Sequence, residues 1–265
     1  MLRKMKLAPK LALVIGMVMT VILMILIGTA ISMSKSAISE VTFEELNEIS
    51  KLNDLQIQTI FDTAETVAQN MQLYVEKSYD THASNPALTE LPTEPAAKEL
   101  CMSSIYEDRV LTPANYDIEV FLRETARNAA AHSEDLAGVG VLFEPYKFQG
   151  DIKDYAFYIS EDDFDEDVQP FGVYGQYSGE IYYSMAATQK ESVVTDPYDY
   201  NGVTMVSYAS PIIYNNEVRG VAMADIKVEN FDKVEIVSDS FPSMYATIYN
   251  EKGIIIYDSE DKADI

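Results

Sequence analysis

TMVSYASPIIYNNEVRGVAMADI, residues 204–226, is the stretch on which the fold of this chain turns. Two runs rich in small, β-branched and aromatic side chains, TMVSYASPIIY and VRGVAMADI, flank Asn215-Asn216-Glu217, a hairpin-turn candidate between two antiparallel strands. Shorter runs of the same texture precede it: VGVLF (139–143), YAFYIS (155–160) and SVVTDPY (192–198). A further pair comes after it, MYATIYN (244–250) and GIIIYDS (253–259). Short apolar or alternating runs between turn signals predict an antiparallel sheet.

Upstream the period changes. Thr42, Leu46, Ile49, Asn53, Ile57, Ile60, Ala64, Val67, Met71 and Tyr74 recur by fours and threes with polar residues between them, which is a helical seam. Residues 79–95, YDTHASNPALTELPTEP, carry three prolines and break the helix. Helical patterns resume over Ala96–Asp108 and Asp117–Ala131, the second with Ile118, Phe121, Leu122 and Thr125 on one side. A long helix, then helices, then an antiparallel sheet is an α+β plan rather than an alternation of β and α units. The seam either packs on the protein's own domain or partly faces a second copy, and Asn53 at a seam position suits register control in a homodimer.

Between Lys10 and Lys35 stand 24 consecutive uncharged residues, LALVIGMVMTVILMILIGTAISMS. At helical rise they span roughly 36 Å, enough to cross a bilayer core. Arg3, Lys4, Lys6 and Lys10 precede them, which predicts a cytoplasmic amino terminus, a cell-membrane anchor and an extracytoplasmic remainder after about residue 35. A cleaved secretory signal begins in the same way, but this run is longer than an ordinary signal core and lacks a clear small-x-small cleavage site.

The 265 residues carry 43 acidic and 19 basic side chains, a net charge of −24, and the four basic residues before the apolar run leave the remainder more acidic still, at −28. Such a body repels phosphate backbones, so no nucleic-acid partner is expected. The single cysteine, Cys101, cannot form an internal disulfide and reads as a packed helix residue. No Cys/His cluster suits zinc. Asp163, Asp165 and Asp167 have a D-x-D-x-D spacing, yet Val168 and Tyr174 stand where a calcium loop needs Gly and Glu, so a solvated acidic loop is expected and no metal. With only His82 and His132, and no nucleophile elbow, nothing supports an enzyme or a cofactor.

The order of anchor, long helix and the segment Gly179–Asp225, with TDPYDYNGVTMVSYASPII (195–213) and GVAMADI (220–226), resembles the double Cache sensor domains of bacterial methyl-accepting chemotaxis proteins and of some membrane histidine kinases. The resemblance implies a membrane-distal, PAS-like module that holds the ligand, followed by a smaller membrane-proximal module whose start looks like SMYATIYNEKGIIIYDSED (243–261). A two-stranded unit is marginal alone, so the sequence is expected to stop inside that second module. The expected organisation is 1–34 cytoplasmic tail and transmembrane anchor, 35–79 long signalling helix, 80–235 distal ligand-binding module and 236–265 the start of the proximal one. The implied function is ligand sensing for chemotaxis, or the same input to a membrane histidine kinase, with cytoplasmic signalling partners reached through a C-terminal part beyond Ile265.

Amino-acid-binding members of that family often carry Arg-x-Trp-Tyr, a later Pro-Tyr and an Asp on the last strand. Here the element reads Glu180-Ile181-Tyr182-Tyr183, the tyrosine matches Tyr198 in Asp196-Pro197-Tyr198, and the aspartate matches Asp225. An arginine can clamp a carboxylate with two parallel hydrogen bonds and Glu180 cannot. The resemblance thus implies a site made from Asp225, Tyr198, Tyr183, Tyr182, Glu180 and Asp196. A carboxylate accepts charge-assisted hydrogen bonds from an ammonium, and electron-rich rings over the same cation add roughly 0.5–2 kcal/mol each. A small amine or other cationic ligand is therefore favoured over an amino acid. Each position also has a plainer reading. Tyr182 and Tyr183 point to opposite faces if they lie on a strand, leaving one for the core. Tyr198 can pack a turn and Glu180 can be solvated. Asp225, between Ala224 and Ile226, needs a partner or solvent if it is ionised.

Overall fold

The computed structural model describes residues 7–233, 244–250 and 252–260. In chain order the elements are α1 (Leu7–His82), α2 (Pro86–Thr89), α3 (Pro95–Leu100), α4 (Pro113–His132), β1 (Gly138–Phe143), β2 (Ala156–Ser160), α5 (Tyr174–Tyr177), α6 (Ile181–Gln189), β3 (Val193–Val194), β4 (Tyr198–Tyr200), β5 (Val203–Tyr214), β6 (Glu217–Lys227), a 3-10 helix (Val228–Lys233), β7 (Thr247–Tyr249) and β8 (Ile255–Asp258). They divide into two units, Met1–Asp54 and Leu55–Ile265. In the first, the helix is long and apolar enough to cross a membrane, and its apolar side chains from Leu11 to Ile31 are exposed.

The second unit is α+β, built on an antiparallel sheet of order β2-β1-β6-β5-β3, with β4 also pairing β5. Its centre is the hairpin of β5 and β6. Tyr214 pairs Glu217 across Asn215 and Asn216, both at positive φ (52° and 64°), the conformation a two-residue primed turn demands and asparagine tolerates. The pleat then sorts the side chains. Val139, Val141 and Phe143 of β1 and Ala222, Ala224 and Ile226 of β6 face Ile60, Ala64, Ala68, Met71 and Val75 of α1 and Ile118, Leu122 and Ala126 of α4. On the opposite face Leu142, Ala156, Ala209, Val221 and Met223 meet Tyr177, Tyr182, Tyr183 and Ala186 of α5 and α6. The β7–β8 hairpin adds Ile256 and Tyr257 to the first of these cores, and the Tyr257 hydroxyl donates to Asp232 Oδ1 at 2.9 Å.

Four expectations change. First, α1 runs on to His82 and only then gives way, at Asn85, whose side chain caps α2 ahead of Pro86. Second, the helix expected over Ala96–Asp108 stops at Leu100. Beyond it the backbone closes a loop: Leu111 N donates to Cys101 O at 2.8 Å, Ser103 N to Arg109 O at 2.9 Å, and Asp108 takes a positive φ of 63°. Third, SVVTDPY is not one strand but the two-residue β3 and the start of β4. Fourth, Tyr182 and Tyr183 lie on helix α6, not on a strand, so both are buried on adjoining parts of one helical face. α4, by contrast, spans slightly more than expected, opened by the Thr112 side chain accepting from Asn115 N with Pro113 in the first turn. The basic residues Arg3, Lys4 and Lys6, and the module boundary at 235/236, lie outside the described residues.

Candidate functional site

Asp225 falls on the α6 side of β6, in line with Val221 and Met223. Opposite it on β1 stands Gly138, and opposite Met223 stands Gly140. These two glycines make room for one ring. A Cβ at Gly138 would overlap the Tyr158 hydroxyl, and one at Gly140 would come within 2.9 Å of Tyr158 Cδ2 and 2.7 Å of Phe157 O. Tyr158 therefore lies flat across β1 and reaches Asp225. Tyr198 and Tyr200 arrive from β4, where the alternation of the strand leaves Asp199 exposed between them. Tyr182 arrives from α6, and Phe171 from the loop after β2, held there by Phe171 N donating to Ala156 O at 2.8 Å.

The result is an aromatic cage. Tyr158, Phe171, Tyr182, Tyr198, Tyr200, Met223 and Asp225 surround a cavity of about 10 Å³. Ring centroids stand 5.6 Å apart for Tyr182 and Tyr198, 6.3 Å for Tyr182 and Tyr200, and 5.6 Å for Tyr158 and Phe171. Asp225 is 3 % exposed. Burial raises its carboxyl from 3.8 to about 6, against the opposing pull of the Ser207, Tyr158 and Tyr198 hydroxyls. Its Oδ1 is buried with no hydrogen-bond partner. Glu119, equally buried on the other side of the sheet, shows what a satisfied carboxylate looks like here. Oε2 accepts from Ser103 Oγ (2.7 Å) and the Tyr155 hydroxyl (2.9 Å), while Oε1 accepts from Ser104 N (2.7 Å). A buried acceptor left unmade costs on the order of 1–3 kcal/mol, a cost that a hydrogen-bond donor at Asp225 Oδ1 would remove. The phenols around it are raised in pKa, Tyr158 and Tyr198 by burial first and by the Asp225 charge second, so they stay neutral donors and electron-rich faces.

Of the six residues singled out in the sequence, Asp225, Tyr198 and Tyr182 come together in the cage. Tyr183 turns away. Its hydroxyl donates to Glu144 Oε1 at 2.6 Å, and Tyr174 donates to the same oxygen at 3.1 Å, so it fastens α6 to the end of β1. Glu180 is exposed at the N-cap of α6; its charge, second to burial, raises the Tyr182 phenol, which puts it near the cage without lining it. Asp196 lies beside a different cavity and accepts from Asn250 Nδ2 at 2.7 Å and Lys252 Nζ at 3.4 Å. Tyr158, Tyr200, Phe171, Met223 and Ser207 went unnoticed in the sequence. Two of them left a signal: Tyr200 follows Tyr198 at strand spacing, and the alternate glycines of GVG (138–140) announce a large neighbour on that face.

Residues 122–233 match the family model described as methyl-accepting chemotaxis protein-like, first PDC sensor domain. This segment, somewhat under half of the chain, is similar to that sensor-domain family. The match begins within α4, ends with the 3-10 helix, and contains every residue of the cage. Among solved structures, the extracellular domain of a protein described as a histidine kinase, mmHK1S-Z2, is 20% identical, with 76% of this chain and 74% of that one covered and a TM-score of 0.47. The periplasmic sensory domain of the Campylobacter jejuni chemoreceptor Tlp1 is 13% identical, with 80% and 70% covered and a TM-score of 0.47. The ligand-binding domain of the Campylobacter jejuni chemoreceptor Tlp3, solved in complex with L-norvaline, is 13% identical, with 79% and 72% covered and a TM-score of 0.35. Comparison with curated proteins gave no match.

Proposed function

We propose that this chain is the sensing region of a transmembrane chemoreceptor and that the Asp225 cage takes a small amine or other cationic ligand on the outer side of the membrane. The observation that carries the reading is the unpartnered, buried Oδ1 of Asp225 among tyrosine rings. An ammonium N–H supplies the missing donor, and its charge is attracted by the ring faces. No guanidinium lines the cage to hold a ligand carboxylate.

The closed cage has room for about one water molecule, so entry of a ligand requires α6 and β4 to draw back from β6. A ligand that prefers the opened arrangement shifts the equilibrium towards it. Two connections carry that shift outward. Tyr198 shares a 2.6 Å hydrogen bond with Ser207 Oγ; the next residue, Tyr208, points to the other face of β5, donates to Glu65 Oε1 at 2.9 Å and accepts from Gln69 Nε2 at 2.9 Å, both on α1. Two residues before Tyr198, Asp196 holds the turn of the β7–β8 hairpin. In this reading residues 1–34 are the tail and anchor with a cytoplasmic amino terminus, 35–79 the signalling helix, 80–235 the distal module and 236–265 the start of a proximal one. Part of the helical seam over residues 42–74 pairs two copies.

Calorimetric titration of the whole chain in lipid nanodiscs with methylamine, ethanolamine and tetramethylammonium tests the cage. Saturable binding of at least one of them, weakened at least a hundredfold by Asp225→Asn, is expected. Absence of binding by all three, or binding indifferent to Asp225→Asn, would overturn the assignment.

A further inference from the structure

A second cavity lies at the far end of the β5–β6 hairpin, beside the last turn of α1. It measures about 380 Å³, shares no residue with the cage, and its wall includes Tyr79, His82, Tyr146, Lys147, Tyr214 and Arg219. In a chain with 43 acidic side chains, none of its lining residues is acidic. Two nitrogens in this wall, Arg219 Nε and His82 Nδ1, are buried without a hydrogen-bond partner. The guanidinium of Arg219 is held over the Tyr214 ring, 5.6 Å from its centroid, and Tyr79 stands 5.3 Å from Tyr214 at 58°. Outside, Glu217 already shows what these cations accept: its Oε2 takes a hydrogen bond from Lys147 Nζ at 2.9 Å and lies 3.9 Å from Arg219 Nη2, while its side chain is 57% exposed.

We propose that this cavity is a second ligand site, specific for a small carboxylate with an apolar or aromatic body. The carboxylate displaces Glu217 from Arg219 and Lys147 and engages the free Nε of Arg219 side-on, the planar pairing for which a guanidinium is shaped. The tyrosine walls take the apolar body, and the volume is that of a small-molecule pocket. Because Ser78, Tyr79 and His82 of α1 form part of the wall, occupancy acts on the same helix that Tyr208 holds.

The test is calorimetric titration of the whole chain in nanodiscs with benzoate, isovalerate and inorganic phosphate. Benzoate or isovalerate is expected to bind saturably, to weaken at least tenfold in Arg219→Met, to tighten severalfold in Glu217→Gln, and to stay within twofold in Asp225→Asn. Glu217→Gln keeps the proposal falsifiable if Arg219→Met does not fold, since a damaged fold does not raise affinity. No binding by either carboxylate, unchanged or weaker affinity in Glu217→Gln, or loss of binding in Asp225→Asn would overturn the site. Phosphate binding more tightly than both carboxylates would overturn the ligand class. The amine titration is independent of each of these outcomes.

Discussion

Asp225 is buried with one carboxylate oxygen unpartnered, and that costs the fold stability when the group is ionised. A free aspartate titrates at 3.8 and this one at about 6, so the folded protein binds the proton more tightly than the unfolded chain does. The contribution of this side chain to stability is therefore fully present below pH 3.8 and is lost as the pH rises through about 6, a change of about 3 kcal/mol for roughly two pKa units. Asp225→Asn is expected to remove that slope, and at pH 7.5 to melt above the parent in the absence of ligand. Melting temperatures of both proteins between pH 4 and 8 check this, and parallel curves would show that Asp225 does not titrate in that window. An ammonium ligand reverses the balance because it pairs with the ionised form, so its affinity rises with pH through about 6. The sequence alone singled out Asp225, since an ionised carboxylate between Ala224 and Ile226 on an apolar strand needs a partner or solvent. It did not identify Tyr158, which reaches the site only because two glycines on a neighbouring strand leave space for it.

At the scale of elements, β5 joins the site to the helix. Ser207 and Tyr208 are consecutive and face opposite sides of the sheet, one towards the cage and the other towards α1. Tyr208→Phe removes the hydroxyl shared by Glu65 and Gln69 and is expected to lower stability by about 1–2 kcal/mol, leaving amine affinity within threefold. The ligand-induced change in hydrogen exchange across α1 residues 64–76 is expected to shrink by at least half. An exchange response as large as that of the parent would rule out this route. Element types were legible where periodicity was long: the seam of α1, the face of α4 and the β5–β6 hairpin. They were misread where a segment was short. The loop after α3 is shaped by Glu119, a residue of α4 whose carboxylate gathers Ser103 and Ser104, and such a distant partner leaves no local pattern. The helix α6 was open to misreading for a similar reason, because tyrosine pairs suit a strand as well as they suit a buried helical face.

For the molecule as a whole, the charge of −24 sets the long-range field in which a ligand arrives. A cation is drawn towards an acidic body, and raising the ionic strength from about 0.01 to 1 M shortens the Debye length from about 30 to 3 Å. Stopped-flow association of methylamine followed by tyrosine fluorescence is expected to slow severalfold over that range, while dissociation changes little because Asp225 is screened from solvent. An association rate independent of salt would mean that the field plays no part. The apolar run after Lys10, the acidity of the residues beyond that run, the helical seam and the strand alternation were all determined by sequence alone, because each depends on composition or on a repeat between near neighbours. Which tyrosines surround Asp225, that Tyr183 serves Glu144 instead, that Asp196 holds the β7–β8 turn, and that Arg219, Lys147 and His82 share a second cavity were decided only by tertiary structure. These contacts join residues far apart in the chain, and sheet register, not sequence spacing, sets which of them meet.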